Sequence, residues 1–465
     1  MENNRKRTIS RQIAERCGEI DAAHLDEAVV DRTKYLLLDF LGCAVRGSLS
    51  DSSGPALKAA LRHGGGSADV PVAGSDVSCE ASCAALAMGI AAHSIELDDV
   101  VNSASLHPAV AVMPAALSIC HREKRGGAAL LTAIVAGYEA MVKLGVAVDP
   151  AAHYGRGFHP TGTCGTFGAA VAAAKLLDLD TDQMQNAIGI AGSQAAGSME
   201  FLADGAFTKR FHAGWAAHGG IIAATLAQNG FTGPSTIIEG TFGFLNSYSA
   251  NPDPGAVLNG WGSPYEVMNT SIKPHSCCRY KQGAIDCLCA LAAEHNLQPA
   301  DVHKITVSIL DAGFALVADP PEQKVNPQSI VDAQFSMPFG AALAVMYRDA
   351  FINRYTLEEI NRPEIRELMQ KVTCVRDPEI NENFPRQWPA AVIVETSDGS
   401  VLEKQLTYPK GDPENPLSWE ELIEKFRILA SEVMPERACS DIIARVQQID
   451  REDSIDTLMQ TLLLN

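Results

Sequence analysis

Residues able to move a proton or hold an anion cluster in a few otherwise apolar stretches of this 465-residue chain. The first is His93-Ser94-Ile95-Glu96-Leu97-Asp98-Asp99, followed by His107-Pro108. On a helix His93 and Glu96, and Glu96 and Asp99, share a face at i,i+3 spacing, which would bring carboxylates and an imidazole to one cleft. The competing structural reading has Asp98 and Asp99 capping a helix or loop and His107 as a satisfied core histidine. A second stretch runs His159-Pro160-Thr161-Gly162-Thr163-Cys164-Gly165-Thr166-Phe167-Gly168. Thr161 or Thr163 can cap the helix that follows, whose first amides favour a carboxylate, and His159 stands immediately upstream. In the third, Lys209 and His212 are helical neighbours, and a lysine in a small, apolar helix supplies positive charge to an acidic ligand; a surface lysine at a helix start is the plainer alternative.

Other chemistries lack their residues. Gly162, Gly165 and Gly168 recur every three positions, unlike a dinucleotide fingerprint, and serve helix packing equally well. Residues 271–281 gather Lys273, His275, Cys277, Cys278, Arg279 and Lys281, with Cys287 and Cys289 beyond, but no Cys-Xaa-Xaa-Cys or His-Glu-Xaa-Xaa-His. A structural zinc or iron–sulfur cluster is therefore not expected. Neither a Walker loop nor a Gly-Xaa-Ser-Xaa-Gly elbow occurs.

The elements that must position these residues fall into two patterns. Residues 29–47, 128–148 and 163–177 have helical spacing or alanine-rich composition with few charges, so positions 1–270 read as a mainly helical domain. From about 270 the pattern changes: Ile305, Val307 and Ile309 alternate with polar residues as in a half-buried strand, and residues 390–395 and 401–406 flank Asp398-Gly399, a hairpin signal. Residues 333–348 and 357–372 read as helices, making 271–405 a smaller α+β domain. Helical periodicity returns near the end, where Ser418 and Glu421 form a capping box. The simplest arrangement is a mainly α protein: a large helical domain of residues 1–270 completed by 406–465, with the α+β domain inserted.

Composition narrows the partners. With 37 basic and 56 acidic side chains the net charge is −19, which repels nucleic acid and anionic lipid at long range. Arg5, Lys6, Arg7 and Arg11 are followed by no apolar run of the kind a secretory signal carries, and the apolar stretches 84–92 and 169–177 are shorter than the roughly 18 residues of a membrane span. Twelve cysteines scattered in apolar contexts suit a reducing cytoplasm.

The ordered set from His93 through Asp99, His107-Pro108, Phe158-His159-Pro160-Thr161, Thr208-Lys209 with His212, Lys273-Pro274 and Cys277-Cys278-Arg279 resembles the MmgE/PrpD family. The resemblance extends through Asp332-Ala333-Gln334-Phe335-Ser336 and residues 411–417, covering nearly the whole chain. It implies a helical domain with an inserted α+β lid, a homodimer, and action on a small polycarboxylate without metal or organic cofactor. Known members include 2-methylcitrate dehydratase, cis-aconitate decarboxylase and iminodisuccinate epimerase. By the resemblance His107, His159 and Lys209 line the active site, Lys273 lies at the lid, and Glu96 stands where many members have Asp. Val100 and Cys278 stand where the decarboxylase branch has a threonine and a catalytic histidine, and Gln282 where relatives often place another histidine.

The expected chemistry is proton transfer beside a carboxylate, with His159 or His107 moving the proton. Lys209 and Lys273 hold substrate carboxylates, and Glu96 or Asp98 orients a histidine or leaving hydroxyl. Thr161, His212, Cys278 and Arg279 are expected to contact substrate. The departures at Val100 and Cys278 put a 2-methylcitrate dehydratase-like hydro-lyase first. The alternatives are an epimerase of an iminodisuccinate-like diacid, a cis-aconitate-type decarboxylase and a non-catalytic organic-acid-binding protein.

Overall fold

The structure, a computed structural model, describes residues 7–64, 69–384 and 386–464. Arg5 and Lys6 therefore lie outside the described residues, while Arg7 pairs with Glu15, and Arg11 lies 2.6 Å from Asp182. The fold is mainly α with a small sheet region, and the chain divides into two compact units.

The first unit comprises Met1–Ser94, Asp98–Thr270 and Ser418–Asn465. Its centre is the helix Pro160–Leu176, packed against Gly127–Ala147, Thr208–Gln228 and Ala109–Arg122. Small residues set these distances. A Cβ on Gly165 would sit 2.8 Å from Ala111 Cβ, and one on Gly168 would sit 2.7 Å from the Gly137 carbonyl oxygen. The glycine repeat is thus explained by close helix contact, since a close-packed interior has no room for the added carbon. The helix Gly127–Ala147, which the sequence reading did not weigh as a span, is 21 residues long and apolar enough to cross a membrane by length and composition, and 89% of its most apolar window is buried in the structure.

C-terminal helices complete the packing of this unit. Ser418 Oγ accepts the Glu421 N–H at 3.2 Å while Glu421 Oε2 accepts the Ser418 N–H at 2.7 Å, the capping box read from sequence. The helix it starts, Trp419–Ala430, lies on Glu27–Gly47, where Lys425 reaches buried Asp39 at 2.6 Å.

The second unit comprises Ile95–Leu97 and Ser271–Leu417. Its four-stranded sheet has the order Val372–Arg376, Val302–Ile309, Ala390–Thr396, Val401–Leu406, the first pair parallel and the others antiparallel. Ile305, Val307 and Ile309 face the core, and Gly399 takes φ +89° in the hairpin, as the alternation and the Asp-Gly pair require.

Three boundaries differ from the sequence reading. Residues 357–372 are two helices, Leu357–Asn361 and Pro363–Gln370, because Pro363 cannot continue the first; Val372 already belongs to a strand. Ser336 caps the separate helix Met337–Tyr347, splitting the expected helix 333–348. Residues 406–417 group with the sheet unit instead of the helical one: the Ile272 amide donates to the Gly411 carbonyl at 3.0 Å and Asp412 pairs with Arg279.

Candidate active site

The helix Ala81–Ala92 ends at His93, and one 3-10 turn later Glu96 adopts φ +56°. This left-handed step is costly for a long side chain and breaks the helical face on which the sequence had aligned His93, Glu96 and Asp99. The three carboxylates diverge. Glu96 lies 3.9 Å from Lys273 Nζ, both buried in the second unit. Asp98 Oδ2 lies 2.9 Å from His93 Nδ1 and 3.2 Å from His107 Nδ1. Asp99 accepts the Tyr138 hydroxyl at 2.8 Å and the Ala109 amide at 3.0 Å, so it anchors the start of Ala109–Arg122 as the structural reading proposed.

His107 returns to Asp98 because the intervening loop closes on itself through Val101 and Leu106, whose N–H···O distance is 2.9 Å. Its Nδ1 also lies 2.5 Å from the Asp99 carbonyl oxygen. Carbonyl and carboxylate oxygens only accept, so this geometry assigns the hydrogen to Nδ1 and the lone pair of the neutral ring to Nε2. Thr161 Oγ1 accepts the His107 main-chain N–H at 3.2 Å. Neither Thr161 nor Thr163 is the helix cap expected from sequence: His159 occupies that position, held extended before Pro160.

His159 Nδ1 is 3.2 Å from His212 Nδ1, and its ring stacks on His93 with centroids 5.8 Å apart. Burial, followed by the neighbouring His93, His212, Lys209 and His107 charges, holds His159 well below the usual histidine range. Burial, then His93 and Lys209, lowers His212 to about 4. Both are therefore neutral near pH 7, suited to hydrogen bonding more than to carrying the transferred proton. Gly197, at φ +151°, makes room for the pair, since a Cβ there would stand 3.3 Å from the His159 carbonyl oxygen and 3.5 Å from His212 Nδ1. Lys209 is partly buried on the first turn of Thr208–Gln228, the helix that carries His212.

Burial pushes Asp99 up to about 8, opposed by the hydrogen bonds from Tyr138 and Ala109. Among the described residues no group of three or more His, Cys, Asp or Glu could hold a metal ion. A surface concavity lined by Arg16, Glu19, Trp261 and Tyr265 contains none of the candidate residues.

The structure therefore brings Asp98, His107, Thr161, His159, His212 and Lys209 into one unit and places Glu96, Lys273, Cys278 and Arg279 in the other. The guanidinium of Arg279, expected to contact substrate, is buried in the structure, where it pairs with Asp412 and lies 5.3 Å from the Trp388 ring centroid; a buried cation needs such a partner. Cys278 is buried and its amide donates to the Gln334 carbonyl at 3.1 Å. Sequence reasoning gave no role to Tyr138, Gly197 or Lys281. Lys281 is fully buried, donates to the Ala333 carbonyl at 3.0 Å, and is lowered by burial to about 8. Tyr138 lies 39 positions from Asp99, and no local pattern marks it.

The MmgE/PrpD N-terminal domain matches residues 11–256, and the MmgE/PrpD C-terminal domain matches residues 275–450. The chain is 28% identical to the cis-aconitate decarboxylase-like protein oryM of Aspergillus oryzae, over 96% of both chains. It is 25% identical to the cis-aconitate decarboxylase of Aspergillus terreus over 99% of this chain and 97% of that protein. For the Homo sapiens cis-aconitate decarboxylase the figures are 28%, 98% and 95%. With both domains matched in order across most of its length, the chain belongs to the MmgE/PrpD family.

Proposed function

We propose that this protein is a lyase of small polycarboxylates and that cis-aconitate, decarboxylated, is its leading substrate. The named relatives favour this over the 2-methylcitrate dehydratase reading put first from sequence. The observation that carries the chemistry is His107, whose Nδ1 hydrogen is held by Asp98 and the Asp99 carbonyl so that Nε2 is its proton-transfer atom.

In the reaction the bond to the carboxylate on the substrate's methylene carbon breaks and CO2 leaves. The released electron pair forms a new double bond, and the old double bond's pair takes a proton from His107 Nε2 at its far carbon. Solvent then restores the proton. Lys209 and neutral His159 stabilise the negative charge that spreads onto a remaining carboxylate. Asp98 orients His107, the role sequence had divided between Glu96 and Asp98.

A second reading, dehydration of a hydroxy-tricarboxylate, is favoured by Val100 and Cys278, which depart from the decarboxylase branch. Incubation with cis-aconitate, citrate and 2-methylcitrate in deuterated water, followed by NMR and CO2 measurement, separates the two. Expected is CO2 with solvent deuterium at the product carbon that was the far alkene carbon of the substrate; water loss without CO2 supports the second reading, and binding without product or exchange refutes both.

A further inference from the structure

His93 has no part in the reaction above, yet its ring is fully enclosed within the same cluster. Its Nδ1 lies 2.9 Å from the Asp98 oxygen that also faces His107, so its hydrogen is on Nδ1 and its lone pair on Nε2. That Nε2 is buried and has no hydrogen-bond partner among the described residues. His153, also fully buried, shows what a structural histidine does in this unit: Nδ1 bonds the Tyr248 carbonyl at 3.0 Å and Nε2 meets Thr163 Oγ1 at 2.9 Å. A buried polar atom left unpaired is unfavourable, and a catalytic role is one of the few accounts that explain it. The His93 ring lies 5.2 Å from the His107 ring and 5.8 Å from that of His159, so the unpaired nitrogen belongs to the proton-transfer cluster.

We propose that His93 is a second proton-transferring residue of this site, presenting Nε2 to the bound acid from the same Asp98 carboxylate that orients His107. The proposal rests on the polycarboxylate lyase reading. One Asp98 oxygen faces Nδ1 of both imidazoles, whose rings lie 5.2 Å apart, so the two rings can serve one bound acid, one as acid and the other as base. The step assigned to His93 is reversible: a C–H bond next to a carboxylate breaks, its electron pair delocalises into that carboxylate, and Nε2 holds the proton until it returns or exchanges with solvent. The site then exchanges hydrogen at a second carbon of the acid, separately from the proton delivered to product.

The test follows deuterium in unreacted cis-aconitate recovered from deuterated water during turnover. Wild-type protein is expected to label the methylene carbon. His93→Asn, which keeps an N–H for Asp98 but has no proton-accepting nitrogen, lowers that exchange about a hundredfold, with KM within about threefold and an unchanged melting curve. Retained exchange in the folded variant, or turnover by wild type without methylene labelling, overturns the proposal while leaving the lyase reading intact. Wild type that neither turns over nor labels the acid refutes the cis-aconitate decarboxylase reading itself. Should the variant not fold, 15N NMR of the wild-type histidines with tricarballylate decides: a shift of His93 Nε2 supports the assignment, and bound tricarballylate without one overturns it.

Discussion

Asp98→Asn tests the centre of the proposed chemistry with the smallest change of shape. Asp98 is 1% exposed, and one of its oxygens lies 2.9 Å and 3.2 Å from two imidazole nitrogens. A carboxylate about 4 Å from the charge centre of an imidazolium stabilises it by about 4 kcal/mol at an effective dielectric near 20. Asparagine retains a neutral hydrogen bond worth about 1 kcal/mol, leaving a net loss near 3 kcal/mol. At about 1.4 kcal/mol per decade, kcat falls by about a hundredfold. KM changes little, because Asp98 acts on His107 and the loss is felt where that ring carries charge. Steady-state CO2 release from cis-aconitate gives both constants, and a melting curve within a few degrees of wild type shows that the fold is intact. A kcat within fivefold of wild type in folded protein would refute the assignment of Asp98 as the orienting carboxylate.

Other expectations follow from individual contacts. Gly197→Ala forces a side chain into φ +151° against the His159 carbonyl and should cost about 1–3 kcal/mol by chemical denaturation; an unchanged midpoint argues against the crowding. His153 is lowered to about 4 by burial, so the unfolded chain takes up its proton first and stability is lost as pH falls from about 6.5 to 4. That linkage is worth about 3 kcal/mol, and His153→Gln should flatten the fall in denaturant midpoint across this range by that amount; an equally steep profile refutes it. Asp412→Asn leaves the buried Arg279 guanidinium without its carboxylate and should destabilise by about 3 kcal/mol, with KM unchanged. A tenfold rise in KM without loss of stability would return Arg279 to the substrate. Lys209→Met should raise KM for cis-aconitate by about tenfold or more, and an unchanged KM would remove Lys209 from the carboxylate.

Much of the scaffold was legible before any coordinates. Alternation at Ile305, Val307 and Ile309, the turn at Asp398-Gly399 and the cap at Ser418 are local patterns, read over a few residues and reproduced as a strand, a hairpin and a helix start. Breaks were less visible. Ser336 and Pro363 each divide a segment that reads as one helix, and the second strand of the parallel pair, Val372–Arg376, has little alternation in its burial.

By itself the sequence determined the inventory of the candidate site: histidines, carboxylates and two lysines set among small apolar residues, in an order that matches a family. Tertiary structure decided which of them meet. Glu96 leaves its neighbours because its own φ turns positive, a choice no helical projection includes. Asp98 serves two histidines because a loop closed between Val101 and Leu106 carries His107 back. His159 and His212 meet across 53 positions, and Asp99 and Tyr138 across 39. Residue types follow from sequence alone, whereas side-chain directions depend on backbone dihedrals at element ends and on packing between distant helices.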